Sequence, residues 1–194
     1  MRTALKEWAV LVDAMARGDI IALVRKGGIR EQRAGFSVRH QRFLLYPTYF
    51  HEREGELAPR FVAALPASHA HQPPGGLVRL RYVADAAAVW RVSALEPLHA
   101  IEMEYGLSWS AVQSRFAYRN APGVHVIAAR VAQLPEELEI PEARRYGGCV
   151  SWVALDHGVE VANATPVMPT QPFAQRLAQL REALGDPLPA PGDV

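Results

Sequence analysis

A basic stretch early in the chain carries the residues with the most evident chemistry. Between Arg25 and Arg42 it holds six basic residues against one acid, Glu31, whereas the whole chain has a net charge of +1. The basic residues are Arg25, Lys26, Arg30, Arg33, Arg39 and Arg42, with His40 among them. Guanidinium groups bind phosphate oxygens through paired hydrogen bonds, so this composition predicts a surface that binds phosphate groups.

Aromatic residues accompany the basic stretch. Phe36 lies inside it, and Tyr46 and Tyr49 follow closely. Unpaired bases stack on aromatic rings, so interleaved arginines and aromatics are typical of proteins that bind single-stranded nucleic acid. Gly27 and Gly28 would let backbone amides approach a phosphate closely. The alternative left open is a solvated loop, because arginine is the usual cation throughout this chain.

The predicted interface joins phosphate-binding cations to base-stacking rings. Its members are Arg25, Lys26, Arg30, Arg39 and Arg42 for phosphates, and Tyr46 and Tyr49 for bases. The expected partner is RNA or another single-stranded nucleic acid, and this binding requires no cofactor. No membrane partner is expected, and the chain is compatible with a homo-oligomer.

His51 and Glu52 follow the basic stretch and are the candidates for acid and base catalysis. Histidine titrates near neutral pH, which suits proton transfer to and from a substrate. In the alternative interpretation, His51 only begins a surface helix that contains Glu54 and Glu56.

Two sets of residues raise the question of a metal site. His69 and His71 share one face of an extended chain, but zinc takes three or four protein ligands and the local sequence supplies no others. Glu7, Asp13 and Asp19 precede Lys26, which vaguely suits a Mg²⁺-dependent nuclease. Such enzymes often show an acid two residues before a lysine on one strand, and this chain does not. We therefore predict no metal site, and Mg²⁺ enters only with the nuclease alternative.

The single cysteine, Cys149, follows a glycine pair and excludes an intramolecular disulfide. A nucleophilic cysteine needs a nearby base, and only the fold could bring His125 or His157 to it. Small buried cysteines are common, so packing is the predicted role.

Composition predicts one globular domain. The chain has 194 residues, 49% hydrophobic and 21% charged, which is enough for a sizeable core. No apolar run approaches the roughly 20 residues that a membrane span needs, and the N-terminus lacks the apolar core of a signal peptide. We expect a cytoplasmic protein with a single domain over 1–186, a flexible loop or linker over 66–76 and a disordered tail over 187–194.

Periodicity predicts interspersed helices and strands. Helices are expected over 3–17 and 94–104, after Ser108, and from Thr170 to a stop at Gly185. Strands are expected over 20–24, 43–46, 77–84, 124–134 and 150–155. Because these elements follow no regular βαβ order, the chain is predicted to be α+β with a mixed or antiparallel sheet.

The order of these elements resembles the ASCH family of the PUA-like superfamily, whose members are small β-barrels associated with RNA and modified nucleotides. The segment 18–25, GDIIALVR, is similar to that family's glycine-to-arginine strand, although Ile20 and Leu23 replace its lysine and glutamate. The segments FLLYPT, EYGLS and the strand ending at Pro135 are similar to later family motifs. The resemblance implies a PUA-like mixed β-barrel with flanking helices. It does not carry over the lysine-based hydrolase or ribonuclease chemistry of some members.

Three other segments resemble a bacterial family of unknown function, DUF1802, over nearly the whole chain. They are LVRKGGI, FLLYPTYFHE and YGGCVSW. That family implies no activity. The sequence therefore predicts nucleic-acid binding through the basic surface. A metal-dependent nuclease or modified-nucleoside hydrolase, and a protein-interaction module without a ligand pocket, remain the alternatives.

Overall fold

One mixed sheet organises the molecule. The computed structural model describes residues 1–26, 40–50, 52–148 and 150–189. Over these residues the strands are β1 (Thr3–Trp8), β2 (Ala22–Arg25), β3 (Arg42–Thr48), β4 (Leu77–Val92), β5 (Val124–Pro141), β6 (Trp152–Ala154) and β7 (Thr165–Pro166). The sheet runs in the order β2-β5-β4-β3-β1-β6, and β7 also pairs with β5. Only β1 and β3 are parallel; the other pairs are antiparallel.

Helices flank this sheet. They are α1 (Ala9–Ala16), α2 (Pro59–Val62), α3 (Leu65–Ala70), α4 (Glu96–Ala100), α5 (Trp109–Ala117) and α6 (Thr170–Leu184). Short 3-10 turns cover Glu54–Glu56, Glu102–Glu104, Tyr118–Asn120 and Arg144–Tyr146. None of the helices in these four ranges is long and apolar enough to cross a bilayer. The predicted α+β class with a mixed sheet and flanking helices is confirmed, and the sheet curls into a half-barrel.

The two faces of the sheet carry separate cores. Successive strand side chains point to opposite faces, and in β3 Phe43 and Leu45 join the larger core while Leu44 and Tyr46 join the smaller one. In β1, Leu5 and Ala4 divide in the same way. Because both faces are buried, β3 is apolar without interruption over 43–47 and does not show a simple polar alternation.

The predicted helix over 3–17 is wrong in its first half. Thr3–Trp8 is a strand between β3 and β6, and the helix begins only at Ala9. The apolar residues that suggested one helical stripe belong to a doubly buried strand followed by a buried helix. Tertiary pairing of Leu5 with Leu45 and Trp152 overrides the local periodicity.

The segments expected to be irregular contain ordered structure. Residues 65–70 form α3, with a proline in its first turn, so the loop predicted over 66–76 begins as a helix. At the other end of the chain, the amide of Leu188 donates to the carbonyl of Val89 at 2.7 Å, and Trp90 Nε1 donates to the carbonyl of Gly185 at 2.8 Å. These two hydrogen bonds hold residues 185–188 against β4. Of the tail predicted over 187–194, residues 190–194 lie outside the described residues.

Candidate functional site

A cavity of about 580 Å³ lies at the open side of the half-barrel. The strands β2 and β6 are the two ends of the sheet order, and the cavity wall is formed by the end of β2, the two residues just before β6, and α5. The lining residues are Arg25, Lys26, Glu56, Ser110, Ala111, Ser114, Arg115, Tyr118, Val150 and Ser151. We call this the seam cavity. Its size is that of ordinary small-ligand sites.

Arg25 joins the two ends of the sheet across the cavity. Its Nη1 donates to Glu7 Oε2 at 2.9 Å, and its Nη2 donates to Ser151 Oγ at 2.9 Å. Glu7 is only 4% exposed, and its other oxygen accepts the amide of Trp8 at 2.9 Å. A buried carboxylate needs such a cation, so the pair with Glu7 fixes the guanidinium of Arg25 at the seam.

Arg115 brings a second guanidinium to the cavity from α5. Its Nη1 donates to the carbonyl of Val24 at 3.1 Å, and its guanidinium carbon lies 5.2 Å from the ring centre of Trp8. Burial, and secondarily the charge of Arg25, lower the pKa of Arg115, while Glu7 acts in the opposite direction. An arginine remains charged at neutral pH despite such a shift. Two fixed positive charges therefore face the same cavity.

The rest of α5 supplies hydroxyl groups. Ser110 and Ser114 are exposed, stand one helical turn apart and therefore share a face of the helix. The helix is held by its N-cap, because Ser108 Oγ accepts the amide of Ala111 at 3.3 Å. Ser108 Oγ also donates to the carbonyl of Gly55 at 2.8 Å, which ties the turn containing Glu56 to the start of α5. The cavity wall is thus positioned by backbone contacts.

Lys26 lines the cavity, as predicted for a phosphate-binding residue, but its ammonium group binds backbone carbonyls. Its ammonium donates to the carbonyls of Phe116 at 3.0 Å and Gly123 at 2.7 Å, and also to that of Ala121. Burial and the charge of Arg91 lower its pKa. Since an ammonium has three donors, Lys26 holds the turn after α5 and contributes charge to the cavity without a donor to spare.

The remaining cations and rings of the predicted interface lie elsewhere. Arg42 is exposed at the start of β3, 3.4 Å from Asp85. Tyr46 is 1% exposed, its hydroxyl lies 3.4 Å from Glu142, and burial raises its pKa. A buried ring offers no face to a base, so Tyr46 is removed from the predicted interface. Arg30 and Arg39 lie outside the described residues.

Tyr49 belongs to a cluster near α1 and α3. Its ring meets that of His69 edge-on, with 5.9 Å between centres. The carboxylate of Glu52, whose side chain is 0% exposed, contacts His69 Nε2 and accepts the amide of Val10 at 3.1 Å. Glu52 thus caps the N-terminus of α1, and the catalytic role predicted for it has no support in these contacts. His51 lies outside the described residues.

The acids of the nuclease alternative are not brought together. Glu7 pairs with Arg25, Asp13 pairs with Arg81, and Asp19 lies 2.8 Å from Arg17. Across residues 1–26, 40–50, 52–148 and 150–189, no three His, Cys, Asp or Glu side chains form a group that could hold a metal ion. Cys149 lies outside these ranges.

Sequence reasoning found Arg25 and Lys26 at the seam cavity and missed its other walls. Ser110, Ser114 and Arg115 lie in a helix that is predicted from its cap at Ser108 and its apolar face, neither of which points to a site. The available signal was the pair of serines four residues apart beside an arginine. Nothing in the spacing of Glu56 or Ser151 connects them to that helix before the fold is known.

Comparison with protein families identifies the chain. The model of the domain of unknown function DUF1802 matches residues 4–179. The chain belongs to this family. No curated protein sequence matches this DUF1802 member.

Two solved structures are similar to it. One is the crystal structure of ASCH from Zymomonas mobilis, with 14% identity, a TM-score of 0.43, and coverage of 92% of this chain and 94% of that one. The other is a serine-to-alanine variant of the same protein, with 12% identity, a TM-score of 0.41 and the same coverage. Both are ASCH proteins. ASCH is the other family that motifs of this DUF1802 chain resemble.

Proposed function

We propose that this protein binds single-stranded nucleic acid through the seam cavity, with a phosphate group held by Arg25 and Arg115. The observation that supports this proposal is the convergence of two guanidinium groups, from β2 and α5, on one cavity wall that also carries serine hydroxyls. Arginine and hydroxyl groups are the usual protein partners of phosphate oxygens.

The charge of the wall supports an anionic ligand. Arg25, Lys26 and Arg115 contribute three positive charges, and Glu56 is the one acid among the described lining residues. Behind the wall, Glu7 offsets part of the charge of Arg25. The sum stays positive, and a positive concave surface raises the local concentration of a negatively charged ligand.

A base-stacking ring is also present, although it is not the predicted one. Tyr118 begins the turn after α5, lines the cavity and is 44% exposed. On either side of residues 27–39, Lys26 lines the cavity, and His40 packs edge-on against Trp152, next to Ser151, with 5.3 Å between ring centres. Arg30 and Arg39 stay among the proposed contacts.

A steric block at an exposed position of the cavity wall tests the proposal. Ser114→Trp places an indole in the cavity from an exposed position on α5, and Gln113→Trp makes the same change at the neighbouring exposed position outside the cavity. Fluorescence anisotropy with labelled decauridylate RNA, at two salt concentrations and with chelator, measures the affinity.

We expect the wild-type chain and Gln113→Trp to bind equally, with affinity that falls steeply as salt increases. Ser114→Trp should weaken binding about tenfold or more, which is the loss of roughly 1.4 kcal/mol of contacts. Equal binding by all three proteins would place the nucleic acid outside the cavity, and no binding by any would refute the proposed function. Cleavage of the label only when magnesium is added would favour the nuclease alternative.

A further inference from the structure

The carboxylate of Glu56 is the unexpected group in the seam cavity. It lies 3.9 Å from Arg115 Nη2 and 3.9 Å from Arg53 Nη1, and its side chain is 36% exposed. Both distances are beyond hydrogen-bond range. An ionised carboxylate only accepts hydrogen bonds and repels a phosphate. Its ion pairs with Arg53 and Arg115 leave its oxygens able to accept a hydrogen bond from a ligand.

The backbone of Glu56 is fixed. The carbonyl of Glu56 accepts the amide of Ser108 at 2.9 Å, and Leu57 forms a bridge with Leu107. These contacts hold the backbone of Glu56 in place relative to α5, and the carboxylate lies 3.9 Å from Arg115 Nη2. A ligand that anchors its phosphate on Arg115 meets the carboxylate with whatever group is attached next to that phosphate.

We infer that Glu56 accepts a hydrogen bond from the ribose 2′-hydroxyl, and that the seam cavity thereby selects RNA over DNA. This inference rests on the proposed function. In a nucleic acid the sugar is bonded directly to the phosphate, and the 2′-hydroxyl is the donor that RNA has and DNA lacks. Carboxylates accept ribose hydroxyls in the same way in dinucleotide-binding proteins.

The wall favours the sugar over a base edge as the partner of Glu56. Base edges are read mainly by amide and guanidinium groups in paired arrangements. Among the described residues that line the cavity there is no Asn or Gln, and in the proposed complex Arg25 and Arg115 are occupied by the phosphate. Hydroxyl groups, cations and one ring suit a ligand that is bound through its backbone and stacked without regard to sequence.

The test compares ligands that differ only at the 2′ position. Labelled decauridylate, decadeoxyuridylate and 2′-fluoro-decauridylate are titrated against the wild-type protein and Glu56→Ala by anisotropy in the presence of chelator. The fluorinated ligand keeps a polar atom at that position but has no donor. Glu54→Ala is the matched control, because Glu54 lies in the same turn and does not line the cavity. Thermal unfolding confirms that each variant is folded.

The wild-type protein and Glu54→Ala should bind the RNA about tenfold tighter than the other two ligands, as expected for one hydrogen bond to a charged acceptor. Glu56→Ala should bind all three with nearly equal affinity. Equal affinity of the wild-type protein for RNA and DNA, a ratio that survives Glu56→Ala, or binding of the fluorinated ligand as tightly as RNA would each overturn the inference and leave the proposed function standing. Failure of every ligand to bind would refute the proposed function itself.

Discussion

Two arginines in this protein each pair with a shielded glutamate, and they differ in what lies around the pair. Arg176 on α6 donates from Nε, Nη1 and Nη2, reaching both oxygens of Glu104 and the carbonyls of Gly18 (2.6 Å) and Asp19 (3.1 Å). Arg25 donates to Glu7 and to Ser151, and it also forms part of the wall of the seam cavity.

The difference separates a structural arginine from a candidate binding arginine. At Arg176 the protein supplies an oxygen for every nitrogen of the guanidinium, so the side chain fastens α6 to the turn after α1. At Arg25 the pair with glutamate orients a cation beside open volume. The number of arginines in a segment says little about binding, whereas the surroundings of each guanidinium say much more.

The largest effect is expected from Arg176→Ala. Loss of its hydrogen bonds leaves the partly buried Glu104 without its cation, so the free energy of unfolding should fall by about 3 kcal/mol. Affinity for RNA should not change, because Arg176 does not line the seam cavity. Urea unfolding and anisotropy measure the two quantities.

Arg181→Ala is the control for that change, because Arg181 is exposed on the same helix. It should alter stability by no more than about 0.5 kcal/mol. If Arg176→Ala weakened RNA binding while the protein stayed folded, the division between a structural and a binding arginine would be wrong.

A smaller effect is expected from Glu7→Gln and Glu104→Gln, which should lower stability alike and differ in their effect on RNA affinity. Each substitution should cost about 1–2 kcal/mol of stability, because a charged acceptor becomes neutral. Glu7→Gln also removes a negative charge from behind the cavity wall, so the affinity for RNA should rise about threefold at low salt. Glu104→Gln should leave that affinity unchanged.

Anisotropy at low and high salt decides between these outcomes. The gain from Glu7→Gln should shrink as salt increases, because ions screen charges over about 10 Å at 0.1 M. Weaker binding by Glu7→Gln would show that Glu7 serves mainly to hold Arg25 in place, and the charge argument would then fail.

The class of the fold could be predicted from the sequence, whereas the first strand of the sheet was predicted to be a helix. The strands around Phe43 and Val126 and the helix capped by Ser108 could be predicted because apolar runs and caps are local signals. The strand Thr3–Trp8 could not, because it is buried on both faces and continues directly into a buried helix. Only its pairing with β3 and β6 distinguishes it from the helix.

The candidate site was predictable where it is contiguous in the chain. Arg25 and Lys26 lie within one basic stretch, so composition alone identified them. Arg115, Glu56 and Ser151 reach the cavity from three other segments, and no local pattern links those segments. The interface prediction included Tyr46 for a related reason. The sequence does not show whether the ring of a tyrosine near arginines faces solvent or, as here, the smaller core.

The smallest expected effect concerns the pH dependence of stability at the seam. His125 on β5 stands directly opposite Arg25 on one side and Arg91 on the other, and directly paired residues share a face of the sheet. Burial first, and then the charges of Arg91 and Lys26, lower its pKa below the ordinary 6.5. As the pH falls below 6.5, the unfolded chain therefore takes up this proton before the folded one does, and the free energy of unfolding decreases.

Urea unfolding between about pH 5 and 8 checks this expectation. His125→Gln cannot take up the proton, so its stability should decline less on acidification than that of the wild-type protein, whereas His71→Gln, at an exposed position, should behave like the wild type. Bound decauridylate should reduce the acid-dependent loss in the wild-type protein, because its phosphates offset the cations that disfavour protonated His125. The same acid dependence with and without RNA would argue that the phosphates bind away from this row of cations.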